Sequence, residues 1–141
     1  MQPTILVVEY NFDLAETIQT VLIAHDYPCV AVKYSSLELM LPKLDSITLV
    51  ICGIELLVAD KKFLRQLQSI VSLNSASVIY TTGAQVPSGV PDIQILQKPF
   101  SVEALLNKVQ RHLAAAAAHR KKDNARHVMA MLSAYKQSIH S

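Results

Sequence analysis

Four short segments of this chain carry side chains that could act together: Glu9-Tyr10, Gly53-Ile54-Glu55, Thr82 and Lys98. Carboxylates bind hard cations, and magnesium usually takes one or two of them together with phosphate oxygens. A hydroxyl and an ammonium suit an anion. The set therefore holds the parts of an anion site, but position 53 contributes no side chain. No nucleophile–base pair is visible, which speaks against an enzyme. The five histidines lack metal-site spacing, and the three glycines form no phosphate-cradling loop. Cys29 and Cys52 lie in apolar stretches and read as reduced core residues. No cofactor and no metal are expected.

These groups matter only if the fold gathers them, and the apolar pattern says that it does. Thr4–Val8, Ile47–Cys52 and Ser77–Thr81 are aliphatic or β-branched runs that suit buried strands, with shorter runs at Pro28–Val32 and Ile93–Leu96. Between them stand helical stripes. Asp13 offers a cap for Leu14, Ile18, Val21 and Leu22, and Ser35 or Ser36 for Leu37, Met40 and Leu41. Asp60 precedes Phe63, Leu64, Leu67, Ile70 and Val71, while Ser101 precedes Val102, Leu105, Leu106, Val109 and Leu113. Strands alternating with helices predict an α/β fold, a five-stranded doubly wound parallel sheet. Such sheets place their site at the carboxyl ends of the strands, where all four segments fall. A chain of 141 residues, 51% apolar and 17% charged, suits one globular domain and excludes disorder. No apolar run approaches the ~20 residues of a membrane span. The start lacks a secretion signal, so a cytoplasmic protein is expected.

The motifs at the strand ends resemble the receiver domain of bacterial two-component response regulators, over roughly residues 4–113. "ILVVEY" is similar to the family's "ILVVDD", "TLVICGIELL" to "DLVLLDIMMP", "VIYTTG" to "VIVLTA" and "ILQKPF" to "YLTKPF". The resemblance implies a CheY-like, flavodoxin-like sheet of order 2-1-3-4-5 and a cis bond before Pro99. It also implies a phosphorylation pocket, which falls here on Glu9 and Tyr10 for the acid pair and Gly53 for the acceptor aspartate. Thr82 takes the place of the hydroxyl and Lys98 that of the lysine. One acid of two remains and the nucleophile is missing, so phosphotransfer and magnesium binding should both fail. Glu55 is the one nearby side chain able to supply a second carboxylate. The switch-aromatic position is Ile95. Gly83–Asp92 holds two prolines, two glycines and no helical stripe, so the fourth helix should be shortened or missing.

The remnants admit more than one reading. Glu9 and Lys98 would form either an ion pair locking the pocket or a partly solvated pair contributing under ~1 kcal/mol; an opening to water favours the second. Thr82 with Lys98 would bind an anion, or Thr82 would satisfy backbone groups at a strand end. Tyr10 would fill the emptied pocket, or lie on the surface.

Charge divides the chain. Residues 1–113 hold eight Lys/Arg and ten Asp/Glu, giving −2, and residues 114–141 hold five Lys/Arg and one Asp, giving +4. Ala114–Ala118 should prolong the last receiver helix, and Asp123 or Asn124 could cap another. In that basic extension, 114–141, Val128, Leu132, Tyr135 and Ile139 form an a/d-like seam with Met129 and Met131 beside it. A seam so short must bury itself, in a homodimer, on a signalling partner, or back on its own body. The first two together are favoured. Nucleic acid is not expected as a partner, because the extension lacks aromatic interleaving and room for a DNA-binding domain. The leading expectation is a non-phosphorylatable receiver-like module acting by protein–protein interaction in phosphorelay signalling. The alternative is the amino-terminal regulatory portion of a DNA-binding response regulator. Residual hydrolase chemistry on the Glu9/Lys98 pocket is the weakest reading.

Overall fold

The structure is a computed structural model describing residues 3–83, 94–118 and 124–140, with side-chain surroundings given outside 115–118, 124–127 and 140. Strand β1 (Ile5–Val8) is wholly buried and leads to helix α1 (Phe12–Ala24). Its cap is Asn11, not Asp13: the Asn11 side chain accepts from the amides of Asp13 and Leu14 at 2.9 and 3.4 Å. Asp13 falls inside the first turn, where its charge faces the positive helix end. Strand β2 (Cys29–Ala31) is followed by a single α-helical turn, α2 (Leu37–Met40), between two 3-10 turns. Ser36 makes no capping bond there, and Pro42 keeps the segment from lengthening into a regular helix.

Strand β3 (Leu49–Gly53) ends at a short helix α3 (Leu56–Ala59). Asp60 then caps helix α4 (Lys61–Asn74), accepting from the amides of Lys62 and Phe63 at 2.9 and 3.1 Å. Strand β4 (Ser77–Thr82) and strand β5 (Ile95–Gln97) complete the sheet. Helix α5 (Val102–Ala118) starts under Ser101, whose Oγ accepts from the Ala104 amide at 3.0 Å. Helix α6 (Asn124–His140) ends the described chain. The expected loss of the fourth helix (83–92) and the basic run 119–123 lie essentially outside the described residues.

All strand pairs are parallel, in the order β2-β1-β3-β4-β5 expected from the resemblance. Alternate strand residues feed two apolar layers. Ile5, Val7, Ile51, Ile79 and Leu96 pack with Ala15, Ile18 and Leu22 of α1 and Leu105 and Val109 of α5. Leu6, Val8, Val50, Cys52, Tyr80 and Ile95 face the other way, toward α2, α3, α4 and α6.

The placement of α6 departs from the favoured expectation. Val128, Met131 and Leu132 are buried within the second layer, with Tyr135 packed half-buried beside them, and α6 lies against α3 and α4. The seam thus turns back onto its own body, and Met131 replaces Ile139, which is 48% exposed. A register of offsets 0, 3, 4 and 7 makes a broader stripe than a strict a/d seam, which suits packing onto a globular layer. Three fully buried side chains supply about 1.5–3 kcal/mol each before the entropy of ordering the helix is subtracted. The helix is therefore held, but by a small number of anchors.

Candidate functional site

Parallel pairing aligns β3 with β4 so that Gly53 stands beside Thr81, and the Lys98 amide extends the β4–β5 pairing by donating to the Thr82 carbonyl at 2.7 Å. That register brings Glu9, Gly53, Thr81 and Lys98 to one point at the carboxyl edge of the sheet. The Glu9 side chain has no solvent exposure, whereas Lys98 is 27% exposed and Glu55 is 42% exposed. One Glu9 oxygen accepts from the Thr81 hydroxyl, and the other lies 3.0 Å from Lys98 Nζ. Lys98 Nζ also reaches Glu55 Oε1 at 3.6 Å. The ammonium is therefore held between two carboxylates, one buried and one at the rim.

Gly53 explains why Glu9 can lie there. A Cβ built on Gly53 would stand 3.0 Å from Glu9 Oε1 and 3.6 Å from both Glu9 Cδ and Glu55 Oε1. The Glu9 carboxylate occupies the space into which a side chain at position 53 would project. Burial pushes the Glu9 carboxyl above its ordinary value, opposed by the Thr81 hydrogen bond and Lys98, with Glu55 adding a smaller push upward. The ion pair is thus solvated on its lysine side only: Lys98 is partly exposed and Glu9 is fully enclosed.

The hydroxyl that meets the buried acid is that of Thr81, the residue before the Thr82 expected to face an anion. Thr81, not Thr82, donates to Glu9, and Thr81 Oγ1 lies 3.5 Å from the Cys52 carbonyl as well. Thr82 is buried too, on the next position of the strand. Adjacent strand residues point to opposite faces, so a motif holding two threonines leaves the choice to the register.

Tyr10 does not fill the pocket. It is 63% exposed and stacks on Tyr34, with ring centroids 5.4 Å apart and planes 19° from parallel. Beside it Lys33 Nζ lies 5.4 Å from the centre of the Phe12 ring. Ile95, at the switch-aromatic position, is buried in the second layer opposite Tyr80. The Lys98–Pro99 bond is cis. Both cysteines are free and buried; burial pushes the Cys29 thiol up to about 12 and raises Cys52 well above its ordinary value, with Glu9 and Glu55 adding to the latter. Neither is an activated thiolate.

Magnesium does not fit this donor set. Both Glu9 oxygens are engaged, Lys98 already supplies the positive charge, and the pocket offers two carboxylates. A divalent ion would have to displace the ammonium and strip a buried carboxylate of its partners. Among the described residues no group of three acidic, histidine or cysteine side chains could hold a metal ion, and no helix is long and apolar enough to cross a membrane.

One residue of this neighbourhood had little signal in the sequence: Thr81 becomes the partner of the buried acid only through the β3–β4 register. Burial raises the Tyr135 phenol, with Glu55 adding to it, and the final helix packs against α3, which starts one residue after Glu55.

No family model and no curated protein matches the chain. Solved structures do. The signal receiver domain of a putative LuxO repressor protein from Vibrio parahaemolyticus is 21% identical with a TM-score of 0.62, over 84% of this chain and 95% of that one. The chemotaxis protein CheY4 of Vibrio cholerae is 17% identical with a TM-score of 0.60, over 79% of this chain and 99% of that one. NtrX from Brucella abortus is 18% identical with a TM-score of 0.62 over 84% of this chain, which spans only 28% of that longer protein. At these identities the likeness speaks to architecture, and the architecture is that of the CheY-like response-regulator receivers.

Proposed function

We propose that this chain is a receiver-like module of two-component signalling that takes no phosphoryl group and acts by binding other proteins. One observation carries the reading: the space an acceptor side chain would need at position 53 is filled by the Glu9 carboxylate, itself bound by Thr81 and Lys98. Glycine offers no nucleophile, and the lysine that would otherwise meet an incoming anion is engaged by two carboxylates. A pocket so filled has one arrangement, so a signal has to enter and leave through surfaces rather than through chemistry at the strand ends. The residues present support binding and not catalysis, because no nucleophile–base pair stands at the rim.

The test is direct. The full chain is treated with acetyl phosphate, and separately with beryllofluoride, each with magnesium, and its amide spectrum is recorded. The spectrum should stay unchanged at Gly53, Thr81 and Lys98. Saturable shifts there, or a covalent phosphate found by mass spectrometry, would overturn the proposal.

A further inference from the structure

Two adjacent strands bring a pair of tyrosines together, one residue beyond the buried Glu9. Val7 of β1 faces Ala31 of β2 in the parallel register, and the Val32 amide carries the pairing on by donating to the Val7 carbonyl at 3.0 Å. Three residues past Val7 and Ala31, the same offset leads to Tyr10 on one segment and Tyr34 on the other. Their rings lie 19° from parallel with centroids 5.4 Å apart, an offset stack. Lys33 and Phe12, each close in sequence to one of the tyrosines, meet as well, with Lys33 Nζ 5.4 Å from the Phe12 ring centre. The two segments are therefore joined at two points, which holds the stack in register.

The pair is built unevenly. Tyr34 packs against the second apolar layer at the start of the 3-10 turn Tyr34–Ser36, whereas Tyr10 is 63% exposed. One ring is thus a fixed base and the other lies open to solvent. Tyr10 beside it also pushes the Tyr34 hydroxyl above its ordinary value. Two phenols in ring contact are the reactants of an oxidative coupling, and little in this chain competes for the oxidant. The sequence has no tryptophan, and both cysteines are buried with thiols raised above their ordinary values. Among the described residues no other two tyrosines stack: Tyr80 is buried, Tyr135 packs on the second layer and Tyr27 on the first.

We propose that Tyr10 and Tyr34 form an oxidative modification site, at which hydrogen peroxide acting through a haem peroxidase joins the two rings by a carbon–carbon bond. The peroxidase takes one electron and one proton from each phenol. The two phenoxyl radicals couple at ring carbons ortho to their oxygens, and the hydrogens on those carbons move to the oxygens and restore both phenols. In sum two C–H bonds are lost, one C–C bond forms, and one peroxide is reduced to two waters. The product ties the turn after β1 to the turn after β2 and closes a covalent loop around α1, which restricts the unfolded chain. The inference goes beyond the reading of the pocket and stands or falls separately, since the coupling involves neither position 53 nor its neighbours Glu9 and Lys98.

The test treats the full chain, in dilute solution, with a plant haem peroxidase and hydrogen peroxide. After reduction of any disulfide, a single-chain product lighter by two hydrogen atoms should form and carry the blue fluorescence of joined phenols. Proteolysis should map the link to the peptides holding Tyr10 and Tyr34. Tyr10→Phe keeps a stacking ring but has no hydroxyl to oxidise, so it should lose the fluorescence and the mass change together. Tyr135→Phe should keep both at the level of the parent. A parent chain that does not couple, links formed only between chains, a link mapped to Tyr27, Tyr80 or Tyr135, or an undiminished yield in Tyr10→Phe would each overturn the proposal.

Discussion

Restoring a carboxylate at position 53 should damage this protein rather than repair it. In Gly53→Ala the added Cβ meets Glu9 Oε1 at 3.0 Å, a contact that a few tenths of an ångström of movement relieves. The strain of about 0.5–1.5 kcal/mol is offset by the ~0.4–1 kcal/mol gained when alanine restricts the unfolded chain. Gly53→Ala should therefore lie within about 1 kcal/mol of the parent. Gly53→Asp adds a carboxylate that reaches further into the space Glu9 fills. Glu9 must then leave Thr81 or crowd the newcomer. The cluster of Glu9, Glu55 and Lys98 carries −2 + 1 = −1, and the substitution takes it to −2. Two unit charges 4 Å apart repel by about 4 kcal/mol at an effective dielectric of 20, part of which Lys98 returns. Gly53→Asp should accordingly cost about 2–4 kcal/mol relative to Gly53→Ala at pH 7, and less in acid, where one carboxyl is protonated. Urea unfolding with an unchanged slope measures it. Glu9→Gln made together with Gly53→Asp should return a large part of the loss, giving a coupling well above the ~0.5 kcal/mol of independent sites. If the aspartate variant is as stable as the alanine variant at neutral pH, Glu9 does not hold the space assigned to it and the account of the pocket is wrong.

Three further outcomes follow from the same geometry. Thr81→Val leaves a buried Glu9 oxygen without its donor and should cost about 1–3 kcal/mol in chemical denaturation, with the Glu9 carboxyl raised further. The folded protein holds the Glu9 proton to a higher pH than the unfolded chain, whose value is near 4.5. Folding stability from this group is thus greatest below about 4.5 and falls as pH rises through the elevated folded value; unfolding midpoints across pH 4–7 should show that slope in the parent and lose it in Glu9→Gln. Leu132→Ala should lower stability by about 2–5 kcal/mol, the loss of a core leucine; a change under ~0.5 kcal/mol would mean that α6 is not part of the core.

The sheet was legible because its central strands, β1 and β3 above all, are continuous aliphatic runs that only a two-sided burial can satisfy. The caps Asp60 and Ser101 were legible because local chemistry alone specifies them, whereas the cis bond at Lys98–Pro99 was legible only through the family resemblance of that motif. Asn11 was passed over for Asp13, two acceptors within one turn of each other that differ only in backbone position. The choice between Thr81 and Thr82 depends on how β4 lies against β3, and the direction of the Glu9 side chain on the emptiness at position 53, neither of which is local. Tyr10 faced outward because Tyr34, 24 residues away in sequence, offered a stacking surface. The destination of α6 was hidden by the same kind of distance: its stripe announces that it must be covered and says nothing of by what.

The two apolar layers close at different moments as the chain is made. The layer around α1 and α5 has all its members once residue 113 is available, but the opposite layer waits for Val128, Met131 and Leu132. A chain emerging from the ribosome amino terminus first therefore passes through an interval with one layer complete and the other, already covered by α2, α3 and α4, still lacking its last helix. During that interval the surface of α3 and α4 that α6 will cover is open to chaperones and to neighbouring nascent chains, so the order of synthesis makes it the side most exposed to misassembly.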